Sequence, residues 1–318
     1  MQAKSFGIII TTYSGDYFFT KALLASINKY MPTLPVCLIQ DGDFDISREV
    51  GLYNITHVLK KKDIKNDFLR ENCFGSRCTS LLTFFESPFD RFLFLDSDIV
   101  LWGDMLPVLL SSDADFVHNI PHEPYTERLW KTQYFDYERI FDTLEHFDWK
   151  KCHLFNSGVF IANRGIFDIE LVKKLVLMWK GDKSLFSTAP QGQINYLAFY
   201  YQAIGKITVN ELPLQAVVPV IPPEELAATY KLVNDEPVVA RPVFIHWAGE
   251  KPLVMNNSSR YKLPMLYFRQ QHLKQVKSFW RIWALPYLVF DEFKAVLNIY
   301  HKGSLLVYIK SKITRLIK

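Results

Sequence analysis

The chain has 318 residues, enough for one large α/β domain with an appendage, and its 49% hydrophobic and 15% aromatic content excludes wholesale disorder. Its four cysteines (Cys37, Cys73, Cys78, Cys152) form no CxxC pair, which argues against a zinc site or a disulfide framework and reads as ordinary thiols of a reducing compartment. The formal charge of +4 is lopsided: from Tyr261 to Lys318 eleven Lys/Arg face two acids, Asp291 and Glu292, a balance of +9 that leaves −5 on the first 260 residues.

Apolar Phe6–Ile10 is too short for a signal-peptide core and reads as part of a first strand, Ser5–Thr12. After the turn Tyr13-Ser14-Gly15-Asp16, the helical spacing of Leu23, Leu24 and Ile27 predicts a helix over Tyr17–Tyr30. Pro32 and Pro35 punctuate. Val36–Gln40 then reads as a second strand ending in Asp41-Gly42-Asp43, and Thr56–Leu59 as a third, ahead of Lys60-Lys61-Lys62. A helix over Ser76–Phe85 carries Arg77 and leads into Phe92–Val100, the densest apolar run of the chain.

That run reads as a strand buried on both faces, as inside a mostly parallel sheet, with Asp96 and Asp98 at its far end. Open α/β sheets place their ligand crevice at such strand ends. If the extended backbone persists, residues two apart point the same way and the two carboxylates converge. Burying two like charges together is costly without a counter-charge, for which a hard divalent cation is suited, and such a cation commonly bridges to phosphate. On this motif alone a solvated acidic loop is an equal reading.

Asp115–Val117 reads as a further strand. The polar, aromatic segment Tyr125–Lys151 has no sharp period and suits an acceptor-side insertion. Phe155–Ile161 follows, then helices over Ile169–Trp179 and Gln191–Tyr201, a proline-rich loop over Val217–Pro223, and a last strand Val243–Ile245 that ends in His246-Trp247-Ala248-Gly249-Glu250-Lys251-Pro252. Strands alternating with helices imply βαβ units, so the fold class is α/β with a mostly parallel, Rossmann-like central sheet flanked by helices. The division expected is a domain over 1–260 and a basic, aromatic helical extension over 261–318.

Four motifs now stand in order: Asp96-Ser97-Asp98, Phe155-Asn156-Ser157-Gly158-Val159-Phe160, Gln191-Gly192-Gln193-Ile194-Asn195 and His246-x-x-Gly249-x-Lys251-Pro252. Together, over about residues 5–255, they resemble the nucleotide-sugar-dependent glycosyltransferases of family 8, the glycogenin-like and bacterial galactosyltransferase-like enzymes of GT-A fold. The resemblance implies that Asp96, Asp98 and His246 hold a metal, Mn²⁺ or Mg²⁺, which would act as a Lewis acid on the departing diphosphate of a UDP-sugar. It implies that Gly249 lets the backbone approach a phosphate, that Lys251 adds a point charge there, and that Ser97, Asn156, Ser157 and Gly158 face the donor. Gln191 resembles the residue beneath the reacting carbon, and the family reaction retains anomeric configuration. Thr12 and Asp41 can hydrogen-bond the base or ribose. Tyr13 can stack on the base or merely fill a turn, and Arg77 reads either as a donor contact or as a surface helix arginine. The family's aspartate before Gln191 is here Pro190, which leaves the choice of sugar open and marks a divergence.

The tail intersperses Tyr267, Phe268, Phe279, Trp280, Trp283, Tyr287 and Phe290 with cations, and Leu305–Ile309 is followed by Lys310, Lys312, Arg315 and Lys318. Such a segment can lie in the headgroup interface of an anionic membrane, which implies a lipid-linked or glycan acceptor, or it can pack on the domain as a helical pair. With no window of roughly 20 uninterrupted apolar residues, the expectation is a cytoplasmic protein, peripheral on the membrane, with no nucleic-acid partner. Two alternatives are a sugar-phosphate nucleotidyltransferase and a non-catalytic, membrane-tethered nucleotide-sugar-binding protein. The first needs a Gly-rich, basic N-terminal loop, whereas Thr11–Tyr17 has one Gly and no cation. The second is favoured only by Pro190.

Overall fold

The computed structural model describes residues 5–121, 126–218, 220–249, 251–254, 261–276 and 284–293. In chain order its strands are β1 (Phe6–Tyr13), β2 (Val36–Asp41), β3 (Ile55–Leu59), β4 (Arg91–Leu95), β5 (Ile99–Trp102), β6 (Phe116–Asn119), β7 (Val159–Asn163), β8 (Val209–Leu212), β9 (Gln215–Val218), β10 (Leu232–Val233), β11 (Glu236–Pro237) and β12 (Val243–Trp247). Seven of them form a central sheet in the order β3-β2-β1-β4-β7-β6-β8. Neighbours are parallel at β3–β2, β2–β1, β1–β4 and β6–β8, and antiparallel only where β7 sits between β4 and β6.

Alternation along the buried strands divides the core into two layers. Ile8, Ile10, Leu93 and Leu95 face the Tyr17–Tyr30 helix, whose Leu23, Leu24 and Ile27 are buried against them. Ile9, Phe92 and Phe94 face the other way, with Phe116 and Phe160, toward the helices Ile169–Gly181 and Gln191–Ala203. There Phe160 stacks between Phe84 and Phe94, at 5.4 and 4.8 Å between ring centroids. The first layer also takes in a three-stranded sheet, β5-β12-β9, in which β12 runs antiparallel to β5 and parallel to β9.

That small sheet corrects the reading of Phe92–Val100 as one strand. β4 ends at Leu95, Asp96–Asp98 turn, and Ile99 opens β5 in the other sheet. The backbone marks the transfer: Asp96 N donates to Gly158 O at 2.9 Å, while Asp98 O accepts from Trp247 N at 3.2 Å. The carboxylates therefore converge through a turn between sheets rather than through strand periodicity.

Two further elements differ from expectation. The helix predicted over Ser76–Phe85 is a 3₁₀ turn, Thr79–Leu82, followed by a short helix, Thr83–Glu86, so Arg77 stands on the turn before them. Side chains displace the helical pattern there: Ser76 Oγ donates to Cys73 O at 2.7 Å and Thr79 Oγ1 to Ser76 O at 2.7 Å. The loop predicted over Val217–Pro223 instead begins as the end of β9, and Pro223 opens a helix that runs to Thr229.

The Tyr125–Lys151 segment is well packed from Glu127 on. Trp130, Phe135 and Phe147 are buried, and Phe135 and Phe147 meet Tyr196 of the Gln191–Ala203 helix at 6.0 and 5.5 Å between centroids. The extension begins as a helix, Leu263–Val276, with Tyr267, Phe268 and Leu273 in the core. Phe268 lies 6.2 Å from Tyr30 and 6.3 Å from Trp102 between centroids, so this part of the tail is structural. A further helical stretch covers 284–293. Phe279, Trp280 and Trp283, and the 305–318 stretch with its cations, lie outside the described residues. Among the described residues no helix is long and apolar enough to cross a membrane.

Candidate metal and donor site

Asp96, Asp98 and His246 meet at the carboxyl-terminal edge of the central sheet. His246 Nε2 lies 3.8 Å from Asp96 Oδ2 and 3.5 Å from Asp98 Oδ1. These three are the residues, among those described, whose ligand atoms cluster closely enough to share an ion, all within 4.8 Å of one another. Two carboxylates and an imidazole form a mixed oxygen and nitrogen donor set that suits Mn²⁺ or Mg²⁺.

Two elements place the three groups. Asp96 and Asp98 flank the turn between β4 and β5, while His246 is carried by β12 beside Ile99. The turn is tied to the loop after β1, because Ser97 Oγ donates to Asp16 Oδ2. Asp16 Oδ1 in turn accepts from Tyr13 N at 3.0 Å. Lys251 Nζ contacts Asp98 Oδ2 directly and also donates to Trp247 O at 3.1 Å. Gly249, between His246 and Lys251, has φ +147°, a conformation glycine adopts freely, and so allows the chain to double back.

Charge and burial work against each other here. Burial pushes the Asp98 carboxyl up, but His246 and the Lys251 ammonium overcome it and hold the group below the usual carboxylate range. Burial raises Asp96, and Asp98 adds to the rise, while 42% of the Asp96 side chain stays open to solvent, which tempers it. Asp16 is pushed up to about 7 by burial, with Asp98 and Asp96 adding and its Ser97 and Tyr13 hydrogen bonds opposing. A crowded set of carboxylates balanced by one lysine is a receptor for additional positive charge.

A cavity of about 510 Å³ opens beside this cluster. Thr12 and Tyr13 line it from the end of β1, Asp41 from the end of β2 and Arg77 from its turn. Asp96, Ser97 and Asp98 line it at the metal end with Ser157 and Lys251. The 75–77 turn rests on Asp41: a Cβ at Gly75 would lie 3.0 Å from Asp41 Oδ1. Ser80 Oγ is buried in the same wall and, among the described residues, has no hydrogen-bond partner.

Asn156, Gly158 and Gln191 support the site from behind. Gly158 N donates to Asn156 Oδ1 at 2.9 Å, closing a tight turn. A Cβ on Gly158 would sit 2.2 Å from His246 Cε1 and 2.9 Å from Asp96 Oδ2, so only glycine fits against the cluster. Gln191 Oε1 accepts from Ser157 N at 3.3 Å, and its amide donates to Gln133 O at 3.2 Å. Asn195, fully buried one turn on, accepts from Phe155 N at 3.0 Å and donates to Phe155 O and Gln191 O, both at 2.9 Å. Pro190 lines the cavity at the start of this helix.

Sequence reasoning missed Asp16 and Gln215. Asp16 read as part of a turn, although an acid in the loop after a first strand is a usable signal. Gln215 stands on β9, which was not expected, and carries no signal of its own.

No protein-family model and no curated protein matches the sequence. Among solved structures, the galactosyltransferase LgtC, in complex with donor and acceptor sugar analogues, is 14% identical with a TM-score of 0.54, over 86% of this chain and 99% of LgtC. The apo structure of the bifunctional glycosyltransferase WbbM is 15% identical with a TM-score of 0.55, over 88% of this chain and 51% of WbbM. The glycosyltransferase GlyE of Streptococcus pneumoniae TIGR4 is 14% identical with a TM-score of 0.51, over 84% of this chain and 60% of GlyE. The chain thus has the GT-A glycosyltransferase fold.

Proposed function

We propose that this protein is a metal-dependent glycosyltransferase that moves a hexose from a UDP-sugar to a hydroxyl of a glycan or glycolipid with retention of configuration. The observation that carries the reading is the meeting of Asp96, Asp98 and His246 at the mouth of a cavity large enough for a nucleotide. LgtC, of the same fold, is described with donor and acceptor sugar analogues, which supports a two-substrate site of this kind.

In this reading the triad holds Mn²⁺ or Mg²⁺, which when bound would take up charge on the departing diphosphate. Lys251 moves from Asp98 toward phosphate as that charge arrives. Arg77 approaches the donor from its turn, Tyr13 stacks on the base, and Thr12 and Asp41 hydrogen-bond base or ribose. Ser97 and Ser157 line the sugar side, Asn156 and Gly158 shape the turn that backs them toward the donor, and Gly249 gives the phosphate-side backbone. Gln191, held by the Ser157 N hydrogen bond, is the residue beneath the reacting carbon; the solved active-site glutamine-to-glutamate mutant of LgtC supports a glutamine in that role. Residues 1–260 are the transferase domain and 261–318 the extension, which brings the enzyme to an anionic membrane and a lipid-linked acceptor at the cytoplasmic face.

The test is UDP release from a panel of UDP-sugars with and without Mn²⁺, comparing wild type with Asp98→Ala. Manganese-dependent release from one sugar, lost in the variant, is expected. The absence of both release and UDP binding by calorimetry would overturn the assignment. Binding without turnover, even with lipid acceptors added, would favour the non-catalytic binding protein that Pro190 raises.

A further inference from the structure

His246 needs one specific tautomer to serve as a ligand, and a buried glutamine supplies it. Gln215 lies on β9, on the same face as the β12 histidine, and is 2% exposed. Its side chain spans two partners: Nε2 is 3.2 Å from Asn156 O, and Oε1 is 3.0 Å from His246 Nδ1. Asn156 O is a carbonyl and can only accept, which assigns the nitrogen of the Gln215 amide to that side. The oxygen must then face His246, and an amide oxygen can only accept, so Nδ1 must carry the proton. Nε2, the other ring nitrogen, is then the one that faces Asp96 and Asp98, which stand 3.8 and 3.5 Å away.

The glutamine is itself anchored, since its backbone N donates to Asn119 Oδ1 at 2.7 Å. The chain of hydrogen bonds therefore runs from the Asn156 carbonyl through Gln215 to His246. It links the Asn156–Gly158 turn to the triad without passing through solvent. Ligand histidines depend on such outer partners for ring orientation and basicity.

We propose that Gln215 is a positioning residue: it fixes His246 as the Nδ1–H tautomer and turns Nε2 toward the two carboxylates. This rests on the metal-dependent reading above only for its consequence, not for the tautomer itself. The experiment uses the full-length protein with ¹⁵N-labelled histidine. Long-range ¹H–¹⁵N NMR, with the His246 ring assigned by comparison with His246→Gln, reads the tautomer directly, and electron paramagnetic resonance of free Mn²⁺ reads ion binding.

The wild type is expected to show His246 protonated at Nδ1. Gln215→Leu should lose that preference and weaken Mn²⁺ binding about 10- to 100-fold. Gln215→Glu retains an acceptor for Nδ1–H and should bind Mn²⁺ within about threefold of wild type, although it forfeits the donor to Asn156. A purely structural role would weaken both variants alike, so the rescue by glutamate is diagnostic. An Nε2–H tautomer in the wild type, or wild-type Mn²⁺ affinity in Gln215→Leu, would overturn the proposal. Should Gln215→Leu fail to fold, the wild-type tautomer decides alone. If wild type and Asp98→Ala bind Mn²⁺ equally weakly, the metal-dependent reading fails, while the tautomer measurement still judges Gln215.

Discussion

At the scale of single residues, the site is defined as much by a missing side chain as by those present. Gly158 packs so closely on His246 and Asp96 that one methyl group must displace the imidazole or the carboxylate. Gly158→Ala is therefore expected to fold at a cost of about 1–3 kcal/mol from overpacking. It should weaken Mn²⁺ binding at least tenfold, an effect comparable to that of altering a ligand's outer partner. Titrating Mn²⁺ against the folded variant checks this, and undiminished affinity would show that the cluster relaxes around the methyl. The Asp96, Asp98 and His246 cluster was legible in the sequence because carboxylates two apart after an apolar run, and a histidine ahead of Gly249 and Lys251, are unusual company. Asp16 and Gln215 were not legible. Their chemistry depends on neighbours from distant segments, Ser97 for one and His246 with Asn156 for the other.

Elements position those residues, and the loop behind them is secured by a helix. The Gln191–Ala203 helix clamps the 155–158 loop through Asn195, whose three hydrogen bonds satisfy both backbone groups of Phe155. Asn195→Ala strands these buried groups, so urea unfolding should show a loss of about 1–3 kcal/mol. A variant as stable as wild type would mean that water or another side chain replaces the amide. A second clamp joins the Leu263–Val276 helix to the domain: His272 Nδ1 is 2.8 Å from Tyr53 OH, and Nε2 is 3.4 Å from Glu49, which accepts from Tyr17 OH at 2.5 Å. Burial pushes His272 down to about 3, with Lys21 and Arg48 adding to the shift. Glu49 pulls the other way. A histidine depressed on folding contributes stability that is fully present above its unfolded value of about 6.5 and is lost as pH falls from there toward 3, because only the unfolded chain takes up the proton. Wild-type stability, read by thermal denaturation, should thus fall below pH 6.5 by at most about 1.4 kcal/mol per pH unit from this group, and His272→Gln should flatten the slope. An unchanged slope would assign the acid sensitivity elsewhere. Helix periodicity made these helices legible in the sequence: Tyr17–Tyr30 has its predicted bounds, and Gln191 opens its helix as expected. The strand break at Asp96 was not legible, because nothing in an apolar run says which sheet each half will join. The Ser76–Phe85 segment misled for another reason, since hydroxyl side chains there claim the carbonyls that a helix would use.

Over the whole molecule, the charge asymmetry and the packing of the extension have to be read together. The part of the tail described first is structural: Arg269 is buried, lies 4.7 Å from the Phe18 ring centroid, and pairs with Glu292, itself 1% exposed. That pair fixes how the 284–293 stretch is presented, because Arg269 also donates to Leu288 O at 3.0 Å. With Leu288 and Glu292 turned inward, Leu285, Phe290 and Phe293 are left 62%, 60% and 52% exposed. An apolar face of this kind, on the segment of the chain that carries a balance of +9, matches an anionic bilayer in both respects, apolar contact and charge. The full-length protein should co-sediment with vesicles containing about 30% anionic phospholipid and not with neutral ones, and about 0.5 M salt should release much of it by screening. Replacing Leu285, Phe290 and Phe293 together by Ser should weaken vesicle binding at least tenfold, since even partial burial of such side chains contributes about 1.5 kcal/mol or more in sum. UDP release from the donor alone should stay at the wild-type rate, because these side chains do not line the cavity. Equal binding of the triple variant would leave the lysines and arginines as the whole attraction. Equal binding to neutral vesicles would remove the charge from the account, and no binding to either would assign the basic tail to a partner other than lipid.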